Sequence, residues 1–235
     1  MISDSAISLL ATKIQSTEAN IRREYFQHQF LRYFYQLPDS NRVFFKGGTA
    51  LRVVYNSPRF SEDLDFSSPL SASRLENLIV DTLHHIREEN IEADISEAKQ
   101  TSGGYLAILN LDRTPVQLEI SSRSTPVPNG EPVTVVSDYC PPYTLVILSR
   151  DQLVREKLAA LQTRSKPRDF YDFYFLLRAN ITPAKDKQIL SQVKKVLEKK
   201  DSNFIKELKV FLPHTQWPII NDFKATLLTE ISRYV

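Results

Sequence analysis

The chain has 235 residues, of which 42% are hydrophobic and 25% charged, the balance of a globular protein with one large or two small domains. No apolar run approaches the ~18 to 20 residues that cross a bilayer, and the N-terminus lacks the pattern of a secretory signal. The single cysteine, Cys140, excludes an internal disulfide and favours a cytoplasmic protein, and a net charge of +2 is too small to indicate nucleic-acid binding without a local basic patch.

Apolar periodicity predicts a mixed first half of the chain. A long helix is predicted over residues 5–36, a short strand over 43–45, a helix in GGTALRVVY and a second strand that carries DLDF. An amphipathic helix containing LENLIVDTLHHI follows, and then strands in IEADISEA, YLAILNL and VQLEISS. The Asp-Arg-Thr-Pro sequence between the last two predicts a hairpin turn, and PVTVV (132–136) predicts a further strand.

The second half of the chain is predicted to be helical. SRDQLVREKLAALQTR has helical spacing from Ser149 onward, and Pro167 lies at the first turn of the next predicted helix. Two or three more helices are expected over 183–233. The sequence therefore predicts an α/β domain over residues 1–145 and a helical domain over 146–235.

Two carboxylates lie two residues apart in the predicted DLDF strand. Residues i and i+2 of a strand point to the same face, so Asp63 and Asp65 would share one face and Leu64 and Phe66 the other. Like charges this close repel unless a cation lies between them, and Mg²⁺ prefers such oxygen ligands. The pattern predicts a divalent-metal site, although an isolated Asp-x-Asp is more often a solvated strand end.

A glycine pair begins the helix that precedes this strand. Gly47 and Gly48 allow a sharp turn and a close approach to a ligand, the helix N-terminus offers N–H groups to a phosphate, and Thr49 adds a hydroxyl. A phosphate site beside a metal-binding carboxylate pair suits an enzyme that acts on a nucleoside triphosphate. A Gly-Gly pair alone is usually a turn, so this prediction depends on the ordered combination of both motifs.

These residues resemble those of a known family. GGT followed by DLDF resembles the core of the polymerase-β-like nucleotidyltransferase superfamily, and KGGTAL…RFSEDLDF resembles the AbiEii/AbiGii toxins of bacterial toxin–antitoxin pairs. The segment REKLAALQTRSKPRDFYDFYFLL resembles the second block of that family, so the resemblance spans residues 43–178. It implies an α+β fold, with a polymerase-β-like core whose mixed β-sheet is flanked by helices, followed by a C-terminal helical bundle.

The resemblance also implies a set of metal-binding and nucleotide-binding residues. Asp63 and Asp65 match the metal-binding pair, and Glu119 is the best match to a third acidic residue on a later central strand, where many members have Asp. Gly48 and Thr49 stand where the superfamily often has Gly-Ser, a change that keeps a hydroxyl at the turn. Two Mg²⁺ ions are the implied cofactors, with Mn²⁺ as the alternative.

The second block supplies three further candidate residues. Lys157 matches a lysine that contacts the triphosphate, and Asp169 and Asp172 match two acidic positions. A lysine at this helix edge can instead be a surface residue, and the two aspartates can instead bind Arg164 and Arg168 to hold the helices together.

Three polar residues flank the glycine turn and the acidic strand. Lys46, Arg59 and Ser61 are predicted to contact phosphate oxygens, with Arg59 using its bidentate guanidinium. The alternative for Arg59 is an ion pair with Glu62 or with an aspartate.

Two other features, a histidine pair and a lysine-rich helix, lie outside the motifs described above. His84 and His85 are read as solvated or core histidines in a helix without an acidic or cysteine partner at ligand spacing. The segment KDKQILSQVKKVLEKK predicts a helix with an apolar side and a lysine side, which is either solvated surface or a guide for a polyanion such as tRNA.

The resulting hypothesis is nucleotidyl transfer from a nucleoside triphosphate to an acceptor, with the tRNA 3′ end implied as acceptor and arrested translation as the outcome. A cognate antitoxin encoded alongside is the implied partner, a stable complex with it is not predicted, and no membrane is involved. Alternatives are transfer to a small molecule or a protein hydroxyl, a non-catalytic nucleotide- or RNA-binding module, and a helical interaction protein whose Asp-Leu-Asp is only surface.

Overall fold

The computed structural model describes residues 2–122, 127–200 and 203–234. The chain divides into two compact units, the first formed by Met1–Val54 and Phe60–Ser149 and the second by Tyr55–Arg59 and Arg150–Val235. The second unit thus begins at Arg150, near the predicted boundary after residue 145, and also includes the separate segment Tyr55–Arg59. No helix within the described ranges has the length and apolar character needed to cross a membrane.

The first unit is organised around one mixed β-sheet. Within the described residues its strands are β1 (Phe44–Lys46), β2 (Leu64–Ser67), β3 (Ala93–Thr101), β4 (Gly104–Leu111), β5 (Thr114–Ser121), β6 (Gly130–Val135) and β7 (Tyr143–Leu148). Their order across the sheet is β3-β4-β5-β2-β1-β7-β6. Strand β1 is parallel to β7 and β2 is parallel to β5, whereas the other neighbours are antiparallel. The predicted mixed sheet is thus confirmed.

Helices cover one face of this sheet. The described α-helices of the first unit are α1 (Asp4–Ile14), α2 (Glu18–Phe34), α3 (Gly47–Tyr55) and α4 (Ala72–Glu88). Helix α2 packs on α4, β5 and β7, and α4 packs on β3 and β4. The ring of Phe34 in α2 lies 5.6 Å from that of Phe66 in β2, so Phe66 is on the helix-covered face. Leu64 is fully buried as well.

The prediction of a single helix over 5–36 is wrong. Gln15 adopts a left-handed conformation, with φ of 59°, and ends α1. The Thr17 side chain then accepts a hydrogen bond from the Asn20 N–H and caps α2. Two apolar helices joined by a tight turn keep nearly the same periodicity, which is why the break was missed, although Thr is a typical N-cap residue.

The hairpin and helix predictions in the rest of this unit hold, with one omission. Asp112 and Arg113 both have positive φ, 46° and 62°, as a two-residue hairpin turn requires. Strand β7 was not predicted, although YTLVIL is an apolar, β-branched run that follows two prolines. It pairs with β1 and β6 and therefore lies inside the sheet.

The second unit is helical. Its described α-helices are α5 (Arg150–Thr163), α6 (Pro167–Arg178), α7 (Lys187–Glu198), α8 (Phe204–Leu208), α9 (Trp217–Ile220) and α10 (Phe223–Ser232). Pro167 begins α6, as predicted. Tyr171 of α6 is buried and its ring stacks on that of Phe223 at 5.8 Å, which places the aromatic run of α6 in the core. Helix α7 buries Leu190, Val193 and Leu197.

Candidate functional site

Three charged residues lie in one row across the middle of the sheet. Asp65 of β2 is paired with Lys46 of the antiparallel strand β1 on one side and with Glu119 of the parallel strand β5 on the other. Residues paired across neighbouring strands present their side chains on the same face. Because Phe66 faces the helices, alternation along β2 places this row on the opposite face.

Burial in the row changes from one side to the other. Lys46 is buried, Asp65 is intermediate and Glu119 is exposed, whereas the neighbours of Glu119 on β5, Leu118 and Ile120, are in the core. The row therefore offers one buried ammonium group and two carboxylates with access to solvent.

The turn between β1 and α3 lies against the Asp65 carboxylate. Gly47 has φ of +81°, and a Cβ built at this position would lie 2.7 Å from Asp65 Cγ and 2.8 Å from Asp65 Cβ. Both the backbone conformation and the space exclude a side chain here. The glycine turn and the acidic strand, which the sequence prediction combines into one site, therefore lie against each other.

Two hydrogen bonds hold the surroundings of this turn. The Thr49 hydroxyl of α3 donates to the carbonyl oxygen of Asp63, which directly precedes β2. The Lys46 ammonium group donates to Ser121 Oγ at 3.2 Å. Ser121 lies two residues after Glu119 on β5 and so shares its face, and this spacing was the signal by which the sequence analysis could have found it.

The loop before β2 is held from α2. Gln27 is buried and its Nε2 donates to the carbonyl oxygens of Ser61, at 2.9 Å, and of Glu62, at 3.2 Å. These bonds act on the backbone that leads into Asp63 and leave the predicted phosphate contact of the Ser61 hydroxyl untested. Gln27 therefore fixes the backbone next to Asp63, a contact that the helical pattern of α2 does not reveal.

The carboxylates of the row, together with that of Asp63, are of the kind that binds a divalent metal. Asp63, Asp65 and Glu119 offer carboxylate oxygens, which are hard ligands of the kind that Mg²⁺ prefers. Asp65 and Glu119 occupy paired register positions and are not fully buried, so a hydrated ion can reach them. The ligand chemistry therefore matches the metal that the family resemblance implies, although among the described residues these three carboxylates do not form a group whose ligand atoms all lie within 4.8 Å of one another.

The second-block residues form a buried ion network within the second unit. Asp172 accepts hydrogen bonds from Arg59 Nε at 2.7 Å and Nη2 at 2.9 Å, and from Lys157 Nζ at 2.6 Å. Burial alone would raise the pKa of the Asp172 carboxyl, but the charges and hydrogen bonds of Arg59 and Lys157 outweigh that effect and lower the pKa to about 2. All three side chains are less than a tenth exposed.

These contacts favour the structural alternative for Arg59 and Asp172. Arg59 does pair with an aspartate, as that alternative states. Asp172 also forms ion pairs, but its partners are Arg59 and Lys157 and not the predicted Arg164 and Arg168. Asp169 follows the suggestion more closely, since both of its oxygens accept from Arg164, at 2.9 and 2.7 Å. Contact of these residues with a nucleotide stays a prediction.

The sequence interpretation of His84 and His85 needs a correction. Both are at least partly exposed on α4, as expected of solvated histidines, but Glu88 lies three and four residues further along the same helix. Its carboxylate oxygens are 3.0 Å from His85 Nδ1 and 3.5 Å from His84 Nδ1. An acidic partner at ligand spacing is therefore present.

Comparison with known proteins identifies the family and the fold. Residues 29–232 match the sequence profile of the family described as nucleotidyl transferase AbiEii toxin, type IV toxin–antitoxin system. The fold is similar to that of MenT4, a nucleotidyltransferase toxin from Mycobacterium tuberculosis H37Rv, with 17% identity, a TM-score of 0.65, and coverage of 100% of this chain and 93% of that chain. It is also similar to that of JHP933 from Helicobacter pylori, with 21% identity, a TM-score of 0.64 and coverage of 93% of each chain.

No curated protein sequence matches the chain. The two solved structures show a shared fold and confirm the predicted fold class, and the profile match extends over most of the sequence, from before β1 into α10. The chain therefore belongs to the AbiEii family of nucleotidyltransferase toxins of type IV toxin–antitoxin systems.

Proposed function

We propose that the protein transfers a nucleoside monophosphate from a nucleoside triphosphate to an acceptor hydroxyl, and that this acceptor is the 3′ end of tRNA. The observation that carries the proposal is the position of Asp65. Its carboxylate lies against the Gly47 turn and in register with Lys46 and Glu119, so a glycine turn at a helix N-terminus, a lysine and two acidic residues meet at one place.

The start of α3 is the proposed phosphate site. The first N–H groups of a helix lack partners within the helix and attract anions. The absence of a side chain at Gly47 leaves room for the Asp65 carboxylate beside this turn. The ammonium group of Lys46, held by Ser121, adds a positive charge next to this turn. We assign to these groups the binding of the triphosphate, with Gly48 and Thr49 contributing backbone N–H groups.

The acidic side chains on and beside β2 and β5 are the proposed metal site. Asp63, Asp65 and Glu119 would hold Mg²⁺, or Mn²⁺ in its place. When bound, the metal would supply positive charge at the reacting phosphate and at the pyrophosphate that leaves. The Thr49 hydroxyl of α3 donates a hydrogen bond to the carbonyl oxygen of Asp63. This bond holds the backbone of a proposed metal ligand next to the proposed phosphate site.

The reaction needs little from the protein beyond orientation and charge. The acceptor oxygen attacks the α-phosphorus, the bond from that phosphorus to the β-phosphate oxygen breaks, pyrophosphate leaves, and the hydroxyl proton is lost to solvent. Holding the reactants in line and balancing their charge supplies most of the acceleration in such chemistry.

The tRNA acceptor is supported by a lysine-rich face in the second unit. Helix α7 turns Leu190, Val193 and Leu197 inward, while Lys187, Lys194 and Lys195 are exposed. Contacts of lysines with phosphates give affinity that does not depend on base sequence. Modification of the tRNA 3′ end would arrest translation, and the cognate antitoxin would counter the toxin without forming a stable complex with it.

The decisive experiment is a transfer assay with α-³²P-labelled nucleoside triphosphates, Mg²⁺ and three acceptor pools: purified tRNA, cell protein, and small molecules from a cell extract. We expect label on tRNA, with loss of at least about a hundredfold for Asp65→Asn, a loss typical of removing one group that stabilises the transition state. Asp94→Asn is the matched control, because Asp94 is an exposed carboxylate on β3 of the same sheet.

Each other outcome has a defined meaning. Label on protein or on a small molecule keeps the transfer chemistry and overturns the tRNA acceptor. Binding of a nucleoside triphosphate without transfer in any pool, unaffected by Asp65→Asn, overturns the catalytic proposal and favours a binding module. Co-purification of the antitoxin with the toxin through gel filtration contradicts the absence of a stable complex.

A further inference from the structure

A cluster of nitrogen and oxygen ligands lies at the C-terminal end of α4, apart from the strands that carry the acidic row. It consists of His84, His85 and Glu88, each of which offers one ligand atom, and these atoms all lie within 4.8 Å of one another. The side chains of His84, His85 and Glu88 are 69%, 43% and 60% exposed. We propose that this cluster is a second metal site, selective for a borderline transition-metal ion such as Zn²⁺, Ni²⁺ or Cu²⁺.

The helical spacing explains why the three groups meet. Residues three and four apart on a helix are neighbours, so Glu88 is adjacent to both histidines although these two are consecutive. One carboxylate oxygen faces His85 Nδ1 at 3.0 Å and the other faces His84 Nδ1 at 3.5 Å. Glu88 thus already bridges the two imidazoles.

The neighbouring side chains hold part of the cluster in place. The ring of His85 stacks on that of Tyr33 in α2, with centroids 6.0 Å apart and an interplanar angle of 20°. The Tyr33 hydroxyl donates to Glu89, and Arg87 Nε donates to the carbonyl oxygen of Ala93 at 2.6 Å. The guanidinium group of Arg87, which lies in the same helical turn, is therefore hydrogen-bonded to the first residue of β3.

The position on the helix favours a cation. The last turn of a helix carries a partial negative charge because its final carbonyl groups lack partners within the helix. An ion bound by Glu88 and the two histidines would add to the stability of this turn.

The ligand types decide the class of metal. Imidazole nitrogen suits Zn²⁺, Cu²⁺ and Ni²⁺, whereas Mg²⁺ prefers oxygen ligands. In a tetrahedral zinc site with bonds of ~2.0 Å the ligand atoms lie roughly 3.3 Å apart, so small rotations of exposed side chains bring these three atoms to that spacing. Three protein ligands leave at least one coordination position open.

The test is a titration of the untagged full chain with ZnCl₂ by isothermal calorimetry, in a buffer that contains millimolar Mg²⁺. We expect one zinc ion per chain at this cluster, and a loss of affinity of about tenfold or more for His84→Asn/His85→Asn and for Glu88→Gln. His214→Asn removes a different exposed histidine and serves as the matched control. Circular dichroism checks that each variant remains folded, as substitutions of exposed residues should allow.

A second readout identifies the ligands directly. Electron paramagnetic resonance of the Cu²⁺-loaded chain should show nitrogen hyperfine coupling that disappears in the double histidine variant. The proposal is overturned if the wild-type chain binds no zinc at millimolar concentration, or if the double variant binds it with unchanged affinity. Asp65→Asn should retain zinc binding at α4 while it loses nucleotidyl transfer, so the failure of one site is distinguishable from the failure of the other.

Discussion

At the scale of single residues, the choice of glycine at position 47 follows from two independent constraints. The backbone has φ of +81°, where a side chain is strained, and the space that a Cβ would occupy borders the Asp65 side chain. The absence of a side chain at Gly47 therefore lets the Asp65 carboxylate lie against the turn, which is the arrangement that the proposed function requires.

Gly47→Ala tests this role. We expect nucleotidyl transfer to fall by at least about tenfold, because even a 1.4 kcal/mol misfit corresponds to that factor and the added Cβ must displace the Asp65 carboxylate. Transfer assays and urea denaturation measure activity and folding separately.

Gly103→Ala is the control for this substitution. A Cβ at Gly103 would have its nearest neighbour, Thr101 Oγ1, at 3.9 Å, so this variant should retain activity. Equal activity of the two variants would show that the close approach of Gly47 to Asp65 has no functional meaning.

His28 gives the fold a pH dependence of its own. It is buried in α2 with its Nδ1 2.8 Å from the Tyr143 hydroxyl, and burial lowers its pKa to about 4. An unfolded histidine has a pKa of about 6.5, so between those two values the unfolded chain binds a proton that the folded chain does not.

This difference predicts a loss of stability in mild acid. Above about pH 6.5 His28 is neutral in both states and does not lower the free energy of unfolding. As the pH falls from there towards 4, protonation of His28 in the unfolded chain lowers the free energy of unfolding by an amount on the order of 3 kcal/mol. Urea denaturation at several pH values should show this slope in the wild type and a flatter one in His28→Gln. His214→Gln, which changes an exposed histidine, should keep the wild-type slope.

At the scale of elements, ion pairs join separate segments of the second unit. Asp172 of α6 binds Lys157 of α5 and Arg59, so one carboxylate connects two helices to the distant segment Tyr55–Arg59. A buried pair of this kind is costly to break, because the remaining charges stay in a poorly solvated place.

Asp172→Asn should therefore destabilise the fold by roughly 3–5 kcal/mol, since it leaves two buried cations without their carboxylate. The change is measured as the shift of the urea unfolding midpoint followed by circular dichroism. Arg178→Gln is the comparison within the same unit, because Arg178 is half-exposed and its partner Glu230 keeps an ion pair with Arg233 at 2.8 Å. We expect this second change to cost less than about 1 kcal/mol, and comparable losses in both variants would argue against a special role of Asp172.

At the scale of the whole molecule, the charge is nearly balanced, so recognition of RNA cannot come from net charge. The chain carries +2, while α7 concentrates exposed lysines on one surface. If these lysines contact tRNA phosphates, each contact removed should lower the slope of log affinity against log salt by about 0.7 to 0.9.

Lys194→Glu/Lys195→Glu tests this prediction. The double variant should bind tRNA more weakly and with a shallower salt dependence, as measured by fluorescence anisotropy between 50 and about 200 mM salt, the range over which phosphate contacts change affinity most visibly. Lys99→Glu, an exposed substitution on β3, is the control. An unchanged salt slope in the double variant would assign the α7 lysines to ordinary solvated surface.

Local patterns in the sequence determined most of the elements and the identity of the site motifs. Alternation placed Leu64 and Phe66 in the core, the glycine pair began α3, and Asp112 and Arg113 formed the expected hairpin turn. These features depend on residues close in the chain, where backbone preferences act directly. The break between α1 and α2 was missed because both helices have similar apolar spacing.

Only the tertiary structure decided which distant residues meet. The register that pairs Asp65 with both Lys46 and Glu119 depends on strand order, and β7, the neighbour of β1 on its other side, had not been predicted. The bond from Lys46 to Ser121 and the pairing of Arg59 with Asp172 join residues that are 75 and 113 positions apart. No local preference encodes such contacts, because they follow from how distant segments pack within each unit, and that packing brings the Asp65 carboxylate against the Gly47 turn.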